Sequence, residues 1–152
     1  METASYFLIC TLGAQTCAFP LAIIQRVLRA AAVLPLPQAP KGILGVVNVS
    51  GQLVPVFTLR QRLGLPARAL DPNDRFVVAR TARFPLIFVM DTVVEVRECE
   101  PEKQTAHRPV GAKVKNSAGM ECLADGLIVV KNIDSLFSPE EEQMLLPTPS
   151  RD

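Results

Sequence analysis

The sequence predicts a mainly β protein built from short strands, and three observations carry that reading. Two apolar runs, Ile43 to Val49 and Leu53 to Phe57, flank a Ser50-Gly51 break, where glycine supplies the positive φ that a tight hairpin turn needs. Further strand-sized apolar runs recur along the chain, separated by Gly, Pro, Asn and Asp. Clear helix signals are confined to a short segment near the C-terminus. Many short strands with turns between them favour small β-barrels or a sandwich over helical architectures.

The elements follow in order. Tyr6 to Leu12 is an apolar, partly β-branched run. Gly13-Ala14-Gln15 reads as a turn and Thr16 to Phe19 as a return strand. Pro20 suits a helix start, where its missing N–H would have no partner. Leu21 to Leu34 is ambiguous. Leu21, Ile24, Val27 or Leu28, and Ala31 fit a helical spacing, whereas Ile24, Arg26 and Leu28 alternate like a strand. Propensity alone favours one long helix here. Pro35, Pro37 and Pro40 impose an extended loop, because the residue before each proline avoids the helical region.

The central hairpin comes next, then a short basic helical turn, Thr58 to Leu63, stopped by Gly64 and Pro66. Pro66 to Asp74 is a polar loop. Arg75 to Arg80 and Phe84 to Met90 form a second hairpin around Thr81-Ala82-Arg83. Asp91-Thr92 breaks the run, and Val93 to Arg97 alternates like a strand. Glu98 to Ser117 is polar, basic after Lys103, and reads as a mobile loop. A strand around Met120 to Leu123, a turn at Asp125-Gly126 and a last strand, Leu127 to Val130, follow. Ser138-Pro139-Glu140-Glu141 combines an N-cap serine, proline at the first helical position and glutamate at the third. The helix it starts ends before Pro147. At two turns it depends on packing, expected through Met144 and Leu145.

Bulk properties narrow the function. At 152 residues the chain is long enough to bury a core. A net charge of +1 and few aromatics argue against a nucleic-acid-binding surface. The N-terminus has no basic start of the secretory kind, and the apolar runs are far shorter than the ~20 residues of a membrane span. A cytoplasmic protein without direct membrane insertion is the expectation. Cys10, Cys17, Cys99 and Cys122 contain no CxxC pair, and His107 is the single histidine, so neither a metal nor a cofactor is expected. Cys10 and Cys17 face each other across the first hairpin, but a reducing cytosol disfavours a bond. There is no glycine-rich phosphate cradle, GxSxG or HExxH. A hydrolase using Ser, His107 and Asp would place its base in the loop least able to hold it rigidly. The chain therefore reads as non-enzymatic.

The succession Gly42 to Leu65, GILGVVNVSGQLVPVFTLRQRLGL, is similar to the signature of the CheW family. Gly45, Asn48, Gly51, Pro55, Val56, Leu59, Arg60 and Gly64 stand in register with it, while Ser50 replaces the usual Arg. Flanking segments match in order: Phe19-Pro20-Leu21 with Ile24 to Val27, Val89 to Val93, and Leu127 to Val130 with Leu136-Phe137-Ser138. Asn132 stands where the family often has Asp.

The resemblance implies a single CheW-like domain over 1–152, a divergent member of the family. It implies two small five-stranded β-barrels packed on a shared core, with short helices and a C-terminal helix. One barrel would hold about 16–74 and the other about 75–123, with the termini crossing over. It also implies a helical turn and then a strand after Pro20. The function implied is a non-catalytic adaptor with two partners: the cytoplasmic tip of a methyl-accepting chemoreceptor and a CheA-type histidine kinase. A specialised adaptor for another pathway, such as surface motility or development, is the alternative within the same class. A nucleic-acid-binding small barrel is the alternative outside it.

The partner-binding residues expected are Ile24, Arg26, Val27, Val46, Asn48, Ser50 and Gly51. Gly45, Asn48, Gly51 and Pro55 also have purely structural roles open to them: close packing or a turn, a local backbone bond, and an edge strand for proline. Arg26 and Ser50 occupy positions that are usually acidic and Arg in the family and associated with partner binding. The reversal at Arg26 reads either as drift on a solvated surface or as a changed partner. Asp91 is expected to form a turn through its own side chain. Arg60 and Arg62 are expected to face solvent or an acidic partner. Lys103, Arg108, Lys113 and Lys115 are expected to form a solvated basic loop.

Overall fold

The computed structural model describes residues 5–99, 120–122 and 126–145. His107, Lys103, Arg108, Lys113 and Lys115 lie outside them, as does the expected mobile loop beyond Cys99. Ten strands make up half of the described chain. They are β1 (Ser5–Leu12), β2 (Gln15–Pro20), β3 (Ile24–Arg29), β4 (Ile43–Val49), β5 (Gln52–Phe57), β6 (Arg75–Arg80), β7 (Pro85–Met90), β8 (Thr92–Cys99), β9 (Met120–Cys122) and β10 (Ile128–Val130). The 3₁₀ turns Leu21–Ile23 and Ile133–Ser135 and helix α1 (Pro139–Leu145) complete it.

The strands form two five-stranded sheets, ordered β8-β1-β2-β10-β9 and β3-β6-β7-β5-β4. The mainly β, two-part architecture is the expected one, but the sheets are not closed barrels. The second sheet comes near to closure. The chain leaving β3 at one edge reaches β4 at the other, where Leu34 N–H donates to Val46 O (2.9 Å) and Val46 N–H to Leu34 O (2.8 Å). Gly45 permits that approach: a Cβ there would lie 2.1 Å from the Leu34 carbonyl oxygen.

The expected division at 74/75 does not follow the sheets. β6 and β7 join the same sheet as β4 and β5, because β7 pairs in parallel with β5 through Val56–Ile87 and Phe57–Phe88. In the other sheet β10 pairs in parallel with β2. Leu21 to Leu34 is a 3₁₀ turn and a strand, as the resemblance implied. Pairing with β6 and burial of Leu28 against the second sheet's core override helix propensity.

Pro55 departs from expectation too. It sits on β5, between β7 and β4, and is buried rather than at an edge. The parallel pairing with β7 starts one residue later, at Val56. Counting from the closing pair Val49–Gln52, Pro55 falls at a non-hydrogen-bonded position opposite Val46. Its missing N–H therefore costs no ladder bond.

The period of two sorts the strands between three apolar layers. Leu8, Cys10 and Leu12 of β1, Phe19 of β2, Val77 of β6 and Phe88 of β7 meet between the sheets. Phe76, Val78, Ile87 and Val89 point the other way, into the hollow of the second sheet. Ile9, Ala18 and Val129 do the same in the first. β7 has both faces covered, which explains its unbroken apolar sequence. Phe88 packs on Phe19 (4.9 Å between ring centres) and Phe57, and Phe57 on Phe137 (5.0 Å). One aromatic chain thus joins both sheets to the segment before α1.

Helix α1 starts as expected. Glu141 N–H donates to Ser138 Oγ (3.1 Å) and Ser138 N–H to Glu141 Oε1 (2.8 Å), a reciprocal capping box. Its packing is only half as expected. Leu145 is buried, whereas Met144 is exposed, since it sits on the outward side of a helix this short.

Candidate partner-binding surfaces

The expected site residues fall on the two edges of the second sheet. Ile24, Arg26 and Val27 are on β3, at one edge. Val46 and Asn48 are on β4, at the other, with Ser50 and Gly51 in the turn to β5. The structure thus brings Val46, Asn48, Ser50 and Gly51 together on one hairpin, and the Leu34–Val46 bridge ties the chain that follows the β3 group to it.

The hairpin tip is built locally. Ser50 (φ 51°) and Gly51 (φ 87°) both have positive φ, as the two-residue turn that fits a twisted hairpin requires. Asn48 Oδ1 accepts the Gly51 N–H at 2.8 Å, which confirms the local backbone bond expected of this asparagine. Ser50 is a non-glycine residue in the left-handed region, and both turn residues are exposed. Beside the tip stand exposed apolar side chains that the sequence reading passed over, Leu34 and Leu53. Leu34 pairs with Val46, and Val46 with Pro55, so these residues form a row across adjacent strands. Leu53 had a signal in its position, one residue before the buried Val54 and so on the other face of β5.

The β3 edge has a different character. Ile24 is partly buried against the core between the sheets, Val27 is 38% exposed and Leu21 is 36% exposed. Arg26 and Arg29 are exposed and make no ion pair among the described residues. Arg26 on β3 and Ser50 in the β4–β5 turn make no hydrogen bond to each other.

Arg60, Arg62 and Asp91 correct the sequence reading. Arg60 is buried, and its Nη2 donates to Asp91 Oδ1 (3.0 Å) and Oδ2 (3.2 Å). Arg68 Nη2 reaches Asp91 Oδ1 (2.6 Å) and Asp74 Oδ1 (2.7 Å), and the Gly13 N–H donates to Asp91 Oδ2 (2.8 Å). Asp91 therefore links the β1–β2 turn of the first sheet to the basic turn and polar loop of the second. Burial alone would raise its carboxyl pKa. The Gly13 N–H and the Arg68 and Arg60 guanidiniums outweigh that and hold it below the usual carboxylate range. Arg62 is half-buried, its guanidinium 5.2 Å from the Phe57 ring centre and 5.6 Å from that of Phe137. Burial lowers its pKa, countered by the Glu141 carboxylate. These charges hold the fold together. No pattern in the polar loop distinguished Arg68 or Asp74 beforehand.

The thiols of Cys10 and Cys17 are cross-strand neighbours, as expected, and both are free. Burial pushes each up to about 12. Among the described residues no group of His, Cys, Asp and Glu could hold a metal ion, and no helix is long and apolar enough to cross a membrane.

The family model described as the CheW-like domain matches residues 6–141. The chain belongs to the CheW-like domain family. It is 28% identical over 133 residues to the chemotaxis protein CheW of Helicobacter pylori, covering 85% of this chain and 79% of that protein. It is 34% identical over 74 residues to the protein FrzA of Myxococcus xanthus, covering 49% of this chain and 46% of that one. Its fold matches the crystal structure of the scaffolding protein TtCheW from Thermoanaerobacter tengcongensis with a TM-score of 0.75, at 20% identity, over 97% of this chain and 96% of the other. As a CheW-family protein it is a scaffold-type adaptor, and its surface edges rather than a catalytic centre are the place to look for function.

Proposed function

We propose that this chain is a non-catalytic adaptor coupling a chemoreceptor cytoplasmic tip to a CheA-type histidine kinase, recruited to membrane receptors from the cytoplasm by those partners. The observation that carries this reading is the set of exposed apolar side chains that the second sheet presents on β3 and around the β4–β5 hairpin. Ile24 and Val27 lie on the β3 edge, and Val46, Leu34 and Leu53 lie beside the hairpin tip on the β4 side. An adaptor must hold two partners at once. Exposed apolar side chains set among polar ones on a hydrogen-bonded sheet suit that task. Control then follows if the adaptor binds one receptor–kinase arrangement better than another. A specialised adaptor serving another pathway is the second reading, and the local similarity to FrzA is the observation on its side.

The test is a pull-down with receptor signalling tips and kinases from the same cell. The natural chain should retain one of each in a ternary complex. Val27→Asp should release one partner and Leu53→Asp the other. Failure of the natural chain to retain any receptor tip or kinase overturns the reading. Retention of a receptor and kinase from a different pathway selects the second.

A further inference from the structure

Among the described residues three arginines are buried or half-buried: Arg60, Arg62 and Arg75. Arg60 donates to the Asp91 carboxylate, and Arg75 to the backbone carbonyls of Asn73 (2.8 Å) and Asp74 (3.3 Å). Arg62 has no oxygen acceptor among the described residues. Its guanidinium is held instead over Phe57 and Phe137, whose rings meet at 71°. The rings attract the charge but offer its N–H groups no oxygen. The carboxylates of α1 do not supply one either. Glu141 is near enough to act on the Arg62 charge, yet its Oε1 accepts the Ser138 N–H (2.8 Å). Glu142 pairs with Arg83 (3.1 Å), and Glu140 makes no ion pair among the described residues.

Partial burial strips water from a guanidinium, and an ionic group removed from water is costly unless hydrogen bonds replace that water. The arrangement suits binding instead. Phe57 is fully buried and Phe137 is 6% exposed, so the aromatic platform is rigid. A guanidinium pinned on it has already lost much of its rotamer freedom, and a planar acceptor finds the fork in place. Met144 adds an exposed apolar side chain three residues after Glu141, a spacing that makes the two neighbours on a helix. Its flexible thioether adapts to irregular apolar surfaces. The charge balance selects the anion. With Glu141 close by, one added negative charge is compensated by Arg62, whereas a dianion such as phosphate meets further repulsion.

We infer that Arg62 and the adjoining face of α1 form a docking site for a carboxylate side chain of a protein partner, taken bidentately by the guanidinium, with an apolar neighbour of that carboxylate against Met144. Two parallel N–H···O bonds give such a pair its geometric selectivity. The site lies at the Phe57 end of β5, and the Ser50-Gly51 tip is at the other end of the same hairpin. It goes beyond the adaptor reading by adding a contact distinct from Val27 and Leu53, and it rests on that reading only for which partner carries the carboxylate.

Two peptides test it, sharing Gly-Ser flanks and carrying Leu-Glu-Leu or Leu-Gln-Leu at the centre. They are titrated into the full isotope-labelled chain and followed by nuclear magnetic resonance. The Glu peptide should shift the Arg62 Nε–H and Met144 methyl signals saturably, and the Gln peptide should bind about tenfold more weakly or worse. Arg62→Lys keeps the charge but loses the fork. It should weaken the Glu peptide by about tenfold or more, read at the Met144 methyl, with circular dichroism unchanged. Four results would overturn the inference: no shift with the Glu peptide, equal affinity for the Gln peptide, equal affinity in Arg62→Lys, or inorganic phosphate bound more tightly than the Glu peptide. The last would make this a phosphate site. The titrations need neither receptor nor kinase, so the pull-down with the natural chain decides the adaptor reading separately.

Discussion

Asp91 shows how a residue's role depends on what the fold brings to it. In the sequence it ends an apolar strand and invites a turn. In the structure it collects the Gly13 N–H and two guanidiniums. Its side chain is 26% exposed, so the cluster is partly solvated and worth less than a fully buried pair. Asp91→Asn should therefore cost about 1.5–3 kcal/mol at neutral pH, the range for hydrogen bonds to a charged group. The pH dependence has a definite sign. The folded carboxyl titrates below its unfolded value, so the unfolded chain binds more protons as pH falls. The stabilisation is complete above the ordinary aspartate pKa of about 3.9 and is lost as pH falls through the folded value. Denaturant melts of both proteins from neutral pH down to acid should show the gap between them shrinking below that point. A gap independent of pH would show that the ionised cluster contributes nothing.

At the scale of elements, the central hairpin is held to its neighbour by a glycine. The strap that follows β3 meets β4 at Leu34 and Val46, where Gly45 leaves no space for a Cβ: the Leu34 carbonyl oxygen would be 2.1 Å away and Val33 Cγ1 2.7 Å. Backbone cannot swing aside as the tip of a long side chain does. Gly45→Ala should push the strap off β4 and break the bridge, with a loss of about 1–3 kcal/mol from strain and overpacking. Hydrogen exchange should show the Val46 and Leu34 amides losing protection in that variant, while the β6–β7 ladder keeps its own. Unchanged exchange at both amides would mean that the strap tolerates a side chain there.

At the scale of the whole molecule the two sheets share one core, so they should unfold together. Phe57 is the residue to probe, since its ring touches Phe88 and Phe137 and carries the Arg62 guanidinium. It is fully buried. Phe57→Ala should cost about 3–5 kcal/mol. Circular dichroism and exchange in both sheets should report one shared, shifted transition. Separate transitions for the first and second sheets would show that the common core does not couple them.

What the sequence determined by itself was local: the strands other than β3, the Ser50-Gly51 turn, the capping box at Ser138 and the hairpins 5–20, 43–57 and 75–90. Each depends on residues a few positions apart, where alternation, turn chemistry and caps act directly. Its family signature also indicated the fold. What only the tertiary structure decided was long-range. Arg60 and Asp91 are 31 positions apart and Gly13 and Asp91 are 78 apart, so no local pattern could show that these charges meet. The assignment of the 75–90 hairpin to the second sheet rests on a parallel pairing whose strands are not neighbours in the chain. The placement of Ile24, Arg26 and Val27 on a strand paired with β6, and of Val46 and Asn48 on one paired with β5, rests on the order of strands across that sheet. Side-chain period says which face of a strand is buried, but it does not say which strand comes next.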